Sequence, residues 1–479
     1  MTPKSRRSFL KQSVLASGSF FIAKNLVSCS PGKMINVAVV GFHGRGAEHI
    51  KSYGKLSGVR VAALCDVNKS YLEKQASELK KAGIEAKTYA DIRKLLEDKS
   101  IDAISIATPN HWHALAGIWA IQAGKDVYVE KPVSHNVWEG RQLVNAARKH
   151  ERIVQTGSQI RSSYAIRDAV AWVKAGNLGK ITIARGLCYK RRASIKKTDA
   201  PLAVSPDVDL DLWLGPAPKV EIHRKQLDYD WHWQWAYGNG DLGNQGVHQM
   251  DIARWFLGEG AIAPRAWSVG GRLGYEDDGE TPNTQIVYQA YEKAPLIFEV
   301  RGLPTAKDSK DMDKFMGGGI GVVIHCENGH VLVPDYGTAI AFDKSGAEIK
   351  RWKGGDDHFE NFIKAVRSRK REDLNADVLE GHLSAAICHT GNISYRLGEK
   401  KSVAEIKKAI EGHSGAAETF ERMVQHLQVN GVDLEATPVT LGPELQFDPQ
   451  TEKAISNDAA TKLLTREYRA PFVVPEISV

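Results

Sequence analysis

Cysteine is scarce, with five residues in a chain of 479. Cys29, Cys65, Cys188, Cys326 and Cys388 lie far apart and show no C-x-x-C spacing, which excludes a zinc site of that kind. The last four read as small buried apolar residues; in an oxidising compartment a disulfide pair is the alternative. No basic run carries interleaved aromatics. The formal charge of +7 has a local origin, because Lys4, Arg6, Arg7, Lys11 and Lys24 all fall in the first stretch. The remainder is close to neutral, which argues against a nucleic-acid partner. Low complexity is absent too: 42% hydrophobic and 25% charged residues make a globular composition. The length exceeds that of one ordinary domain, so two domains with additions are expected.

The N-terminus is read apart from the fold. Ser5-Arg6-Arg7-Ser8-Phe9-Leu10-Lys11 resembles a twin-arginine export signal. The apolar stretch Ser13 to Ala23 falls short of the ~20 residues that a spanning helix needs and suits a signal-peptide core. Leu26-Val27-Ser28-Cys29 resembles a lipobox, which implies an acylated Cys29 and a periplasmic, lipid-anchored protein whose only membrane contact is that anchor. Residues 1–29 are assigned to this signal.

From Met34, short β-branched runs alternate with helical stretches. Met34 to Val40, Val59 to Cys65, Asp102 to Ala107, Asp126 to Val129 and Ile153 to Gln155 read as buried strands, with amphipathic helices between them. This is the βαβ pattern of a doubly wound parallel sheet over residues 34–157. After Gly157 the runs lengthen and alternate, as in Ile181 to Gly186, Thr284 to Ala290, Leu296 to Arg301 and Val322 to Cys326. They suit a largely antiparallel open sheet covered by helices, over residues 158–420. The fold class is α/β in both parts. Residues 421–479 form an extension whose apolar end, Pro471 to Pro475, is expected to pack on the body.

Several constellations carry chemistry. Gly41-x-x-Gly44-Arg45-Gly46 follows the first strand and opens a helix, where glycines admit a pyrophosphate and the helix N-terminus favours its charge. Asp66 ends the second strand ~20 residues on, positioned to accept the ribose hydroxyls. Val67 and Asn68 follow it rather than an arginine, which favours NAD over NADP. Thr108-Pro109-Asn110-His111-Trp112-His113 follows the third strand, at the crevice of such a sheet; the alternative is a proline turn capped by Asn110. His111 and His113 are too unspecific in spacing to suggest a metal. Glu130-Lys131-Pro132 ends the fourth strand, where the lysine ammonium can stabilise an alkoxide beside a nicotinamide.

Further on, Gly240 to Asp251 is dense in glycine and holds His248, a candidate general base, with Asp251 one turn later to orient it. A core histidine capped by a carboxylate is the alternative. Trp231, Trp233 and Trp235 alternate, so an extended segment puts the rings on one face as a sugar platform or as core. His358, His382 and His389 read as structural.

Together these pieces resemble the Gfo/Idh/MocA oxidoreductases, from about Ile35 to Leu397. The glycine turn before Asp66, Thr108-Pro109 with His111, Glu130-Lys131-Pro132 and Gly246-x-His248-x-x-Asp251 carry the likeness. The resemblance implies an N-terminal Rossmann domain with NAD, a C-terminal α/β domain whose open sheet forms an oligomer interface, and a sugar, polyol or glycoside as substrate. Lys131 and His248 inherit catalytic roles. One departure stands out: the family's dehydrogenases carry aspartate four residues before the histidine, and this chain has Asn244. The family also contains glycosidases that oxidise C3, eliminate the aglycone and recycle NAD. The tyrosine they use has no match near Gln159-Ile160-Arg161, where Tyr164 is only nearby. A non-catalytic sugar-binding lipoprotein is the reading from another class.

Overall fold

The computed structural model describes residues 33–479, so the export signal and lipobox lie outside the described residues. β1 (Ile35–Val40) is almost wholly buried, as an apolar strand covered on both faces must be. It is joined by β2 (Val59–Cys65), β3 (Lys87–Tyr89), β4 (Ala103–Ile106), β5 (Asp126–Val129) and β6 (Val154–Thr156). All pairings are parallel and the order is β3-β2-β1-β4-β5-β6. This is the doubly wound Rossmann order, whose crevice opens above β1 and β4 where the winding reverses. Short, exposed β3 carries no apolar signal that would mark it in the sequence.

The second sheet has eleven strands. β7 (Ile181–Tyr189), β8 (Arg265–Gly271), β9 (Thr284–Gln289), β10 (Leu296–Arg301), β11 (Ile320–Cys326), β12 (Gly329–Asp335), β13 (Thr338–Asp343) and β14 (Glu348–Lys353) form its body. β15 (Glu399–Lys401), β16 (Val439–Leu441) and β17 (Leu445–Gln446) extend it from the far end of the chain. Only the β7–β10 pair is parallel, so the sheet is largely antiparallel.

β9 and β10 were expected to alternate, yet every residue in them is buried. The reason is cover on both faces. Val287 and Phe298 pack with helices Val247–Leu257 and Val378–Arg396. Ile286, Tyr288 and Ile297 pack with Phe420, Met423 and Leu427 of helix Ala416–Val429. Glu299 clamps that helix through Arg422 (2.7 and 2.8 Å) and binds Arg185 of β7 (3.3 Å). Over β8–β10 both faces of the sheet are therefore covered by the chain itself.

The two units are not sequential blocks. Helix Ala416–Val429 runs through the boundary placed at 420. Helix His358–Ser368 packs on the Rossmann sheet, with Phe359 stacked on Tyr128 at 4.8 Å. Phe472, Val474 and Ile477 join the core on its other face. The four described cysteines are buried and unpaired. No helix among the described residues is long and apolar enough to cross a membrane.

Candidate active site

The glycine turn sits at the carboxyl end of β1. Gly41 and Gly44 have φ of 73° and 106°, a region that side chains disfavour. A Cβ at Gly41 would lie 2.9 Å from the Thr108 side chain, and one at Gly46 only 2.0 Å from the Gly41 carbonyl. Gly46 is therefore required for the helix to meet the strand, while Gly44 leaves open space in front of the helix N-terminus. Asp66 ends β2 and accepts the N–H groups of Phe42 (3.2 Å) and Asn68 (2.9 Å). Burial raises its carboxyl above the ordinary value, against the pull of those two donors. Gly41, Asp66, Thr108 and Pro109 line one groove, with His43 stacked on Tyr71 at 4.0 Å as part of its wall. Among the described residues no arginine lines this groove.

A strap from the second unit crosses this groove. Residues 207–228 bond to the Rossmann domain through Lys69 N–H to Asp207 (2.9 Å) and Asp209 N–H to Val67 (3.0 Å). Trp112 Nε1–H donates to Leu212 (3.0 Å) and Tyr71 to the Asp228 carboxylate (3.1 Å). Val208, Leu212 and Leu227 supply the outer wall.

The groove continues into a polar cleft of about 740 Å³, a size that suits a small polar substrate. Thr108, Asn110, Glu130, Lys131, Asn244 and His248 line it. Lys131 Nζ donates to the Asn244 carbonyl at 2.5 Å, and burial lowers its ammonium below the ordinary lysine range. Asn244 lies in a π-helical turn, Leu242–Gly246, a device common at functional sites. His248 follows at the head of a helix. Its Nδ1 is buried without a partner, leaving Nε2 as the nitrogen available to the cleft. Burial and the Lys131 charge hold the imidazole down to about 3, so it is neutral at pH 7.

Behind Lys131, Glu130 is buried. It accepts Arg45 Nε (3.0 Å) and Gln159 Nε2 (3.1 Å) and pairs with His49 Nε2 (3.1 Å). Burial alone would raise its carboxyl; His49, Arg45 and Lys131 outweigh that and hold it well below the usual range. Arg45 is thus turned toward Glu130 while still lining the cleft.

Four expectations are corrected. His111 does not reach the cleft: it is buried, with Nε2 on the Trp213 carbonyl at 2.9 Å. Asn110 is the first helical residue rather than the cap, and its amide binds Asn239 at 3.0 Å. Asp251 does not orient His248. It accepts Arg161 Nε and Nη2 at 2.8 to 3.1 Å and the Ser384 hydroxyl at 2.6 Å, because its helix turns it toward the core. The tryptophans do not share a face, because Asp230–Trp233 is a 3-10 turn and not an extended strand. Trp231 stacks on His232 at 3.6 Å at the cleft, Trp233 is buried under Arg192, and Trp235 points into another cavity.

Sequence reasoning also missed cleft residues. Tyr336, on the β12–β13 turn, stands 5.2 Å from the His248 ring, and Tyr229 and His232 line the opposite wall. Tyr164 instead packs at Gly354. No local motif marks Tyr336; only the fold of the second sheet brings it there. His358, His382 and His389 are held by Thr156, Glu452 and Ser134, as structural histidines should be. Among the described residues no cluster could hold a metal ion.

Comparison with known proteins bears on this arrangement. Residues 35–158 match the Gfo/Idh/MocA oxidoreductase family's NAD-binding Rossmann fold, and residues 165–428 match its C-terminal alpha/beta domain. The chain belongs to the Gfo/Idh/MocA family. Its relatives include a "Glycosyl hydrolase family 109 protein" of Solibacter usitatus, 28% identical over 197 residues, 38% of this chain and 45% of the relative. An "Inositol 2-dehydrogenase 1" of Saccharopolyspora erythraea is 30% identical over 161 residues, 33% and 46%. The chain thus spans about half the length of the curated relatives it matches. Among solved structures, the WlbA dehydrogenase from Bordetella pertussis with NADH and UDP-GlcNAcA has a TM-score of 0.54 at 18% identity, covering 74% of this chain and 94% of that one. A levoglucosan dehydrogenase with NADH and levoglucosan has a TM-score of 0.56 at 18% identity, covering 74% and 95%. These likenesses establish the fold. The Gfo/Idh/MocA glycine turn, with Asp66 at its side, fits NAD.

Proposed function

We propose that this protein oxidises or reduces a ring hydroxyl of a sugar, polyol or glycoside with NAD as its cofactor. The observation that carries the reading is the convergence of Lys131 Nζ and the His248 ring in a polar cleft continuous with the nucleotide groove. A nicotinamide cofactor, held by the glycine turn and Asp66, would supply the hydride acceptor or donor. In oxidation, Lys131 takes the hydroxyl proton when its amine is neutral, a form that burial favours although the group rests as an ammonium beside Glu130. His248, with no carboxylate on Nδ1 to support a positive charge, holds substrate through Nε2 rather than storing the proton. Asn244 serves through its backbone carbonyl, which fixes the Lys131 head. The test is reduced-nicotinamide absorbance of the purified holoprotein across a sugar panel. A sugar-dependent change that disappears in Lys131→Ala supports the reading; a blank panel with NAD bound sinks it.

The strap favours a second reading, a glycosidase that returns the hydride to its own substrate. A nucleotide beneath residues 207–228 would have to break several hydrogen bonds to exchange, which suits a cofactor that ends each cycle unchanged. Release of an aglycone without net reduced cofactor identifies this chemistry; net reduction with the glycosidic bond intact excludes it. Export by the twin-arginine route, a lipid anchor at Cys29 and a homo-oligomer belong to the same proposal. Membrane fractionation of Cys29→Ala and light scattering test them.

A further inference from the structure

A second cavity, of about 660 Å³, opens on the far side of Asn239 from the catalytic cleft. Asn239 is the partition: its Oδ1 accepts Asn110 of the cleft at 3.0 Å, and its backbone carbonyl accepts Asn392 of the second cavity at 2.9 Å. Three distant parts of the chain build the cavity: the loop after β5 with His135, helix Val378–Arg396, and the tail with Arg466. Trp235, the ring that left the expected platform, lines it as well.

The chemistry of the cavity is set by two guanidinium groups. Arg466 donates to the Ala236 carbonyl (3.1 Å) and meets His135 Nδ1 (3.2 Å). Arg396 lies over the Trp235 ring, 5.3 Å from its centre. Among the described residues neither has a carboxylate within 4.0 Å. Glu280 and Glu139 act on them only from farther away. Glu280 is held by the Trp235 N–H at 2.6 Å, and Glu139 by Asn136, Tyr468 and the His135 N–H. The rim carries both signs, with Lys462, Glu221 and Glu467 all exposed. Arg466 is half-buried, which pushes it below its ordinary value, while Arg396 stands exposed at the mouth. Half-burying the Arg466 guanidinium without an anion is unfavourable, and a planar fork of this kind matches a carboxylate.

We propose that this cavity binds a carboxylate-bearing sugar, with its carboxylate between Arg396 and Arg466 and its ring edge against Trp235. The site holds no hydride-transfer machinery, so it goes beyond the oxidoreductase reading. The anion and the sugar are separable parts of the same ligand chemistry, and free carboxylates are one source of the former.

The experiment is calorimetry on the full chain with glucuronate, glucose and acetate. Glucuronate is expected to bind, with glucose and acetate each weaker by about tenfold or more. Arg396→Gln and Arg466→Gln should each weaken glucuronate by about 10-fold to 100-fold, the worth of one charge-assisted hydrogen bond. Lys131→Ala should leave that binding unchanged, which separates this cavity from the catalytic cleft. Arg396 is exposed, so its variant tests the site even if Arg466→Gln fails to fold. Three results overturn the proposal: no glucuronate binding at millimolar concentration, binding indifferent to both arginine variants, or binding lost in Lys131→Ala. Acetate as tight as glucuronate overturns the sugar.

Discussion

Asp251→Asn separates two roles for one carboxylate. Sequence spacing made Asp251 the orienting partner of His248, but the structure gives it to Arg161. The carboxylate is 1% exposed and receives three hydrogen bonds from that guanidinium and one from Ser384. Asparagine keeps the volume, removes the charge and turns N–H toward two cations, Arg161 and Arg254. Removing one partner of a buried pair costs ~3–5 kcal/mol. Glu380 remains 3.0 Å from Arg161, so the lower end, about 3 kcal/mol, applies. Thermal unfolding should then drop by roughly 3 °C, since at ~2.1 cal/mol/K per residue a chain of this length shifts only ~1 °C per kcal/mol. The kcat below the transition should stay within about threefold, ~0.6 kcal/mol of barrier. Burial opposes ionisation of Asp251, but Arg161 prevails and its carboxyl sits below the ordinary value. The pair therefore contributes fully above the unfolded carboxylate range and is lost as pH falls through the depressed value. The wild-type advantage over the variant should fade below about pH 4. The reasoning fails if scanning calorimetry shows an unchanged midpoint while kcat falls about 100-fold, ~2.7 kcal/mol.

Other outcomes follow from single side chains. Gly46→Ala puts a methyl 2.0 Å from the Gly41 carbonyl, so protein purified without added cofactor should lose its nucleotide; mass spectrometry finding wild-type occupancy would contradict this. Asp66→Ser should weaken NAD by about tenfold or more and narrow its preference over NADP, measured by calorimetry. Lys131→Ala should lower kcat by about 10²- to 10⁴-fold with nucleotide retained. Since His248 is held down to about 3, the pH profile of kcat should show no limb near ~6.5 from this group; a limb there that vanishes in His248→Asn would restore it as the base. Glu452, lowered to about 2 because His382 and Arg141 outweigh its burial, pins the tail. Its contribution persists above the ordinary carboxylate range and fades as pH falls toward about 2, so Glu452→Gln should speed proteolysis of the tail at neutral pH.

The cofactor end of the site was readable because its requirements are local. A strand, a glycine turn, a helix and a carboxylate one strand later leave a contiguous pattern. The catalytic end depends on contacts between units. Lys131 is placed by the end of β5, but its partner is the carbonyl of Asn244, which no side-chain pattern encodes. Asp251 misled because helical spacing shows which residues share a side, not whether that side meets the cleft or an arginine from elsewhere. Alternation of the tryptophans puts them on one face only in an extended segment, and a 3-10 turn runs there instead. Tyr336 and the strap were invisible for the same reason: their meaning exists only after the second sheet has formed. The buried character of β9 and β10 required knowing that residues beyond 400 return to cover them.

Phe472, Val474 and Ile477 complete the core of the first domain from the other end of the chain. Asn145 and Ile477, joined by a hydrogen bond, are 332 positions apart. At ~5–20 residues per second, ribosomal synthesis separates these partners by roughly 20–60 s. Until the tail emerges, the edges of Trp112 and Trp119 that meet Phe472 lack that cover. The nucleotide domain is first in the sequence and among the last parts to be finished.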